Sequence, residues 1–284
     1  MCLGGMDVFD SVCHAMSTMA TGGFSTKSNS IAYWDSAYIQ YVIIIFMFIA
    51  GINFGLVFTA IKGNWRKLIK DNEFQQYLLI TIVASNIIGI GLYASNWGSF
   101  EKSFRDAIFQ VVTIITTTGF ATADYLLWPP LLGLILFLLF FAGASAGSTA
   151  GGFKIVRVYL LFKNSFTELK RIIHPNGIIT VKYNGKSVHP DIMTSIMGYA
   201  ILYMILFAIG SLIMTLFTED IITACSSVIT CMSNVGPGFG SIGPMFTFAH
   251  LNEFAKLFLA LLMLIGRLEI FTVMVLFTEA FWKR

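Results

Sequence analysis

Residues Thr116 to Tyr125 read TTTGFATADY. Three threonines followed by a glycine are poor material for a helix interior. The stretch nevertheless leads into the apolar run Leu126–Ala142. The chain around it is built for a bilayer: its 284 residues are 56% hydrophobic and 12% charged, with mean hydropathy +0.78. An ordinary soluble domain carries about 25% charged residues, so an all-α integral membrane protein is expected. Irregular backbone at membrane depth has to be buried in protein or line a water-filled cavity, because lipid offers its N–H and C=O groups no partner.

Five runs are apolar enough for spans of roughly 20 residues: Ala37–Ile61, Phe74–Tyr93, the long and broken Pro129–Leu161, Ile192–Phe217 and Asn252–Phe281. Between them lie Val8–Met19, Phe100–Thr116 and Asp220–Met232, which are too short to cross and are expected as re-entrant or interfacial helices. Asp7 and Asp10 interrupt the start of the chain, so no signal peptide is read there. Lys62, Arg66, Lys67 and Lys70 follow the first span. Lys154, Arg157, Lys163, Lys170, Arg171, Lys182 and Lys186 follow the third, and Lys283 and Arg284 close the chain. The positive-inside rule makes these segments cytoplasmic and puts the short segments on the outer side. VKYNGKSV, Val181–Val188, carries an Asn-Gly turn between β-prone residues and predicts a small hairpin outside the membrane. A net charge of +3 does not point to nucleic acid.

Three stretches repeat the opening pattern: STMATGGFS (Ser17–Ser25), IITTTGFAT (Ile114–Thr122) and ITCMSNVGPGFGS (Ile229–Ser241). Each follows a short segment, carries small polar residues and then a glycine, and leads into an apolar helix. Gly22, Gly119 and Gly236 are read as equivalent positions. The order helix, short helix, loop, helix recurs with a period of about 100 residues. Glycine reaches backbone angles that other residues resist. Inward-turned carbonyls replace the hydration shell of a cation, threonine hydroxyls offer further oxygens, and the negative C-terminal ends of the short helices favour positive charge.

The stretches MATGGFST, TTTGFATADY, GASAGSTAGGFK, SNVGPGFGSIGP, IGRLEIFT and the ending EAFWKR resemble the Trk/Ktr/HKT superfamily of potassium transporters, and within it the TrkH subunits of bacterial Trk systems. The resemblance implies four helix–pore-loop–helix repeats around one pore. Ala20-Thr21-Gly22, Thr117-Thr118-Gly119 and Asn234-Val235-Gly236 would then stand in the K⁺ selectivity filter. About two and a half of the four repeats are expected here. Residues 1–62 are the second repeat without its outer helix. Residues 63–164 are the third, with a gating loop at 143–153, and 165–284 are the fourth, preceded by the hairpin. The family further implies a homodimer in the bacterial inner membrane, in contact with lipid, and a TrkA-type cytoplasmic nucleotide-binding regulatory subunit. A separate N-terminal portion would complete the pore. K⁺ is the expected transported ion, without a cofactor. The alternatives are a Na⁺- or NH₄⁺-conducting relative and a non-conducting remnant that serves assembly only.

Within the third span, Gly143, Gly147, Ser148, Gly151 and Gly152 in GASAGSTAGGF break a helix that Leu and Phe would continue. A phosphate-binding loop is excluded because no Gly-Lys-Ser/Thr follows; a small-residue packing face is the competing reading. In the family this is the intramembrane loop that gates the pore. Arg267, placed deep in the last span, needs a partner. Glu269 should face elsewhere, so carbonyls of the Gly143–Gly152 loop are the expected acceptors. Asp35, Asp124 and Glu253 are candidates for concentrating cations at the outer mouth. Cys2, Cys13, Cys225 and Cys231 show no paired spacing, the four histidines no ligand spacing, and no nucleophile–base arrangement suggests an enzyme.

Overall fold

The computed structural model describes residues 1–177 and 179–283. Arg284, counted above among the basic residues, lies outside them. In chain order the helices are α1 (Val8–Met19), α2 (Ala37–Ala50), α3 (Phe54–Ile61), α4 (Trp65–Ile69), α5 (Asn72–Ala94), α6 (Phe100–Ile115), α7 (Pro130–Leu139) and α8 (Ile155–Ile173). After the hairpin β1 (Lys182–Tyr183) and β2 (Lys186–Ser187) come α9 (Pro190–Met214), α10 (Ile221–Ser233), α11 (Glu253–Arg267), α12 (Ile270–Val275) and α13 (Glu279–Trp282).

Among the described residues two helices are long and apolar enough to cross a membrane, the 23-residue α5 and the 25-residue α9. At 1.5 Å per residue each exceeds a hydrocarbon core of about 30 Å. Both begin at a local signal. The Asp71 carboxylate accepts from the N–H groups of Glu73 and Phe74 at the start of α5, and α9 starts with Pro190, whose missing N–H costs nothing there. The short helices α1, α6 and α10 match the three segments read as re-entrant. α6 and α10 are capped by Ser99 and Asp220.

Two of the short helices, α6 and α10, sit in the core, whereas α1 leaves Val8, Phe9 and Met16 exposed. α6 lies between α5 and α2. Ala107, Val111 and Ile114 meet Ala84, Ile88 and Leu92 on one side. Phe109 and Val112 meet Ile39, Ile43 and Met47 on the other. α10 lies in the same way between α9 and α11, with Val228 against Gly210 and with Met214 and Leu259 in the same cluster. On α5 the buried face is Tyr77, Thr81, Ala84, Ser85, Ile88, Gly89 and Leu92, whereas Leu79, Ile82, Val83, Ile87 and Ile90 are exposed. Large apolar residues outward, with the small or polar Thr81, Ala84, Ser85 and Gly89 confined to the inner face, is the pattern of a helix that faces lipid.

Two expected spans are interrupted. The first, Ala37–Ile61, divides into α2 and α3, bent by 104°. Asn53 accepts from the N–H of Gly55 at 2.8 Å and so starts a new helix. Gly51 lets the chain press against Tyr77, whose hydroxyl would stand 2.5 Å from an added Cβ. The last span, Asn252–Phe281, breaks between α11 and α12, where Glu269 takes φ 66°. The third span breaks as expected, over residues 140–154. The hairpin pairs Lys182 with Ser187 and Tyr183 with Lys186. Its turn has positive φ at both Asn184 and Gly185, as a two-residue type I′ connection requires.

Candidate functional site

The three short helices end in one and the same way. Thr21, Thr117 and Asn234 take φ of 50°, 54° and 58°. Their N–H groups bond three residues back, to Thr18, Ile114 and Cys231. The next residue bonds five back: Gly22 to Ser17 at 2.8 Å, Thr118 to Thr113 at 2.9 Å, Val235 to Thr230 at 2.9 Å. This is a Schellman-type cap with a non-glycine residue in the left-handed position. That conformation is unusual for a β-branched threonine, and strain of this kind collects at functional sites.

The caps correct the register of the first stretch. The positive-φ glycine two residues after each cap is Gly23, Gly119 or Gly236. Gly23, not Gly22, therefore stands in the place of Gly119 and Gly236, and the equivalent triplet is Thr21-Gly22-Gly23, with Ala20 one position too early. In MATGGFST two adjacent glycines follow the threonine; the reading took Gly22, whereas the cap hydrogen bonds and the positive φ single out Gly23, which Phe24 follows as Phe120 follows Gly119.

The loops stand side by side in series. A Cβ on Gly23 would lie 1.8 Å from the carbonyl oxygen of Thr118, and one on Gly119 would lie 1.9 Å from that of Val235. No side chain fits at either contact. Gly236 has nothing within 4 Å of an added Cβ. Three helix C-termini, each with partial negative charge, are thus brought to one place.

The threonine hydroxyls, expected as ion ligands, are engaged within the protein. Thr117 Oγ1 accepts from Gly151 N–H at 2.7 Å. Thr116 Oγ1 donates to Val112 O at 2.6 Å and lies 2.8 Å from Thr118 Oγ1. Thr21 Oγ1 donates to Ala20 O. Thr116, Thr117 and Thr118 are buried, so these bonds fix the loop backbone and with it the direction of its carbonyls. More distant hydroxyls brace the same backbone. Tyr125 donates to Gly238 O at 2.7 Å, Thr230 donates to Pro237 O and accepts from Gly236 N–H.

The irregular segment 140–154 touches the ends of all three short helices. Thr149 Oγ1 donates to Met19 O at 3.3 Å and to Ala50 O at 3.3 Å. Gly151 binds Thr117, and a Cβ on Gly151 would stand 2.6 Å from Ser233 O. Ser233 Oγ donates to Phe140 O at 2.7 Å. The segment closes on itself through Gly143 N–H to Phe153 O at 2.7 Å and Ser148 Oγ to Ser145 O at 2.6 Å. Gly147 and Gly152 take φ of 72° and 69°.

Arg267 Nη1 donates to Thr149 O at 2.9 Å, so the loop does supply its partner. Its placement differs from the expected one: Arg267 ends α11 at the helix break and is exposed, not buried. It lines a cavity of about 300 Å³ with Gly147–Gly152, Lys154, Gly266 and Glu269. Beside it, the part-buried Arg157 donates from Nη2 to Glu269 at 2.7 Å while its guanidinium lies 4.0 Å from the Tyr199 ring centre. Lys154 Nζ donates to Ala150 O. Of the acids expected at the outer mouth, Asp124 caps a short turn by accepting from Leu126 N–H, and Asp35 and Glu253 are exposed. Sequence reasoning missed Thr149, Ser233 and Gly266. The first two carry no signal beyond being small and polar. Gly266 is required because a Cβ would stand 1.9 Å from Met232 O.

The family model described as "TrkH: Cation transport protein" matches residues 3–86 and 97–284. The chain is 38% identical over 281 residues to the Trk system potassium uptake protein TrkH of Escherichia coli (strain K12), covering 98% of this chain and 58% of that protein. It is 35% identical over 287 residues to the Trk system potassium uptake protein TrkG of the same strain, again over 58% of the relative. The crystal structure of the potassium transporter TrkH from Vibrio parahaemolyticus superposes with a TM-score of 0.93 at 36% identity, over 99% of this chain and 60% of that one. The chain thus spans somewhat more than half the length of these relatives. Matched over almost all of its residues, it belongs to the TrkH family of cation transport proteins.

Proposed function

We propose that this chain forms part of a membrane pore for K⁺, with Thr21-Gly22-Gly23, Thr117-Thr118-Gly119 and Asn234-Val235-Gly236 contributing backbone carbonyls to its selectivity filter. The observation that carries this reading is the serial packing of Gly23 on the Thr118 carbonyl and of Gly119 on the Val235 carbonyl. Three irregular loops are held backbone to backbone with no side chain between them, as a ring of carbonyl oxygens that replaces a hydration shell demands. The potassium uptake named for the relatives supports K⁺ as the ion.

Residues 1–62, 63–164 and 165–284 are three successive pore units in this reading. The free flank of Gly236 and the exposed apolar face of α1, including Val8, Phe9 and Met16, are surfaces that a further unit would cover. The segment 140–154, tied to the short helices and to Arg267, regulates passage beneath the filter. The filter loops face outward, and the basic residues from Arg157 to Lys186 face the cytoplasm, available to a TrkA-type regulatory subunit. The assembly is a homodimer in the bacterial inner membrane.

The test is ion flux into vesicles that contain the complete transporter. Wild-type protein should admit K⁺ over Na⁺, and Gly119→Ser should reduce that discrimination at least tenfold or abolish flux. Unchanged relative uptake of the two ions in a folded Gly119→Ser protein would exclude the filter assignment.

A further inference from the structure

Glu73 is a buried acid that the site as described does not use. It stands in the first turn of α5 with 3% of its surface exposed. Its Oε1 accepts from the N–H of Ala146, within the irregular segment 140–154, at 2.5 Å. An unpaired buried backbone donor is costly, so this bond fixes where the middle of the segment lies.

The residues just before Glu73 hold a different element. Asn184, in the turn between β1 and β2, donates from Nδ2 to Asp71 Oδ2 at 2.7 Å and accepts at Oδ1 from Asn72 N–H at 2.8 Å. Asp71 itself caps α5 through its other oxygen. The hairpin is also tied to α8, since Lys163 Nζ donates to Lys182 O at 2.6 Å. A run of direct contacts therefore leads from the turn at Asn184, through Asp71 and Asn72, to Glu73 and on to Ala146, with no flexible spacer. At its far end the same segment binds Thr117 through Gly151 and Arg267 through Thr149.

We propose that Glu73 is a positioning residue that couples the hairpin to the intramembrane segment. Anything that pulls Asn184 from Asp71 and Asn72 shifts the first turn of α5, weakens the Glu73–Ala146 bond and loosens residues 140–154. A load on the hairpin is thereby felt beneath the short helices. For its effect on ion flux the proposal rests on the reading of that segment as the gate; the mechanical coupling does not.

The test is backbone hydrogen exchange of the peptide covering Phe141–Phe153 in the complete transporter, with potassium flux measured in parallel. Asn184→Gly keeps the turn geometry but removes both side-chain bonds, and the hairpin's surface position keeps this variant foldable. It should speed exchange in the segment severalfold although no altered residue touches it. Glu73→Ala should speed exchange by about tenfold, the loss of one bond to a carboxylate. Glu73→Gln, whose amide oxygen can still accept, should retain most of the protection. The double variant Asn184→Gly/Glu73→Ala should exchange no faster than Glu73→Ala alone, because both break one path. Wild-type exchange in Asn184→Gly, or a Glu73→Gln segment as loose as Glu73→Ala, would overturn the coupling. Faster exchange with wild-type flux in Asn184→Gly would uphold the coupling and sink the gate assignment instead.

Discussion

The loops after α6 and after α10 have the same cap and the same turn, yet they sit in different surroundings. Thr116, Thr117 and Thr118 are enclosed, with Gly23 against the Thr118 carbonyl on one side and the Val235 carbonyl against Gly119 on the other. The loop after α10 is enclosed on one side only, and Gly236 is exposed. Glycine is needed at 119 for two reasons, positive φ and a backbone contact that excludes a Cβ. At 236 only the first applies among the described residues. One motif thus carries different energetic demands according to what stands beside it.

The largest effect is expected where both demands meet. Gly119→Ala should destabilise the protein by about 3 kcal/mol or more, combining left-handed strain with overpacking against an immovable carbonyl. Gly23→Ala should behave alike, read as a fall in the thermal unfolding midpoint in detergent. Thr117→Val tests the enclosed loop from its other face. Volume and branching are kept, but Gly151 N–H loses its acceptor, which should cost about 1–3 kcal/mol and raise resting flux as the 140–154 segment loosens. A resting flux at the wild-type level would mean that this bond does not hold the gate. Gly236→Ala meets strain without a clash and should cost about 1–2 kcal/mol. A loss as large as that of Gly119→Ala would show that the flank of Gly236 is filled in the complete transporter.

Arg267→Ala removes one exposed hydrogen bond to Thr149 and a positive charge beside the proposed path. Resting flux in vesicles without a regulatory partner should rise by about threefold to tenfold, the range of one modest hydrogen bond. Flux at or below the wild-type level would assign the arginine a structural role. The smallest effect is expected at Gly22→Ala. Its φ is unremarkable, and the nearest atom, on the Phe24 ring, lies at an ordinary 3.4 Å. A change below about 0.5 kcal/mol is typical of such a site. Gly22→Ala set beside Gly23→Ala tests the register directly: the sequence alignment makes Gly22 the sensitive position, the structure Gly23.

Much of the architecture was legible in the residues. Apolar length marked α5 and α9, insufficient length marked α1, α6 and α10, and clustered glycine and serine marked the break at 140–154. Asn184-Gly185 marked the hairpin. The acceptor for Arg267 was inferred from the need to satisfy a guanidinium. Each of these rests on local rules of length, capping and turn chemistry, which neighbouring residues carry. The readings that failed concern where long apolar runs break and which distant segments meet there. The bend at Gly51–Asn53 looks apolar and helical until Tyr77 packs on it. Arg267 looked buried because the break at Glu269 is invisible in IGRLEIF.

Sequence alone determined that this chain lies in a membrane as repeated units, each with a short helix and an irregular glycine-bearing loop. Bilayer thickness and unmet backbone polarity leave few other uses for such a pattern. Only the tertiary structure decided which glycine of MATGGFST faces the neighbouring loop and which protein atoms the threonine hydroxyls bond. It also decided that Glu73 links the hairpin to the loop. For Gly23 the deciding partner is the Thr118 carbonyl of the neighbouring loop, and for Thr117 and Glu73 it is a backbone N–H of the 140–154 segment, groups that every residue carries and no side chain advertises.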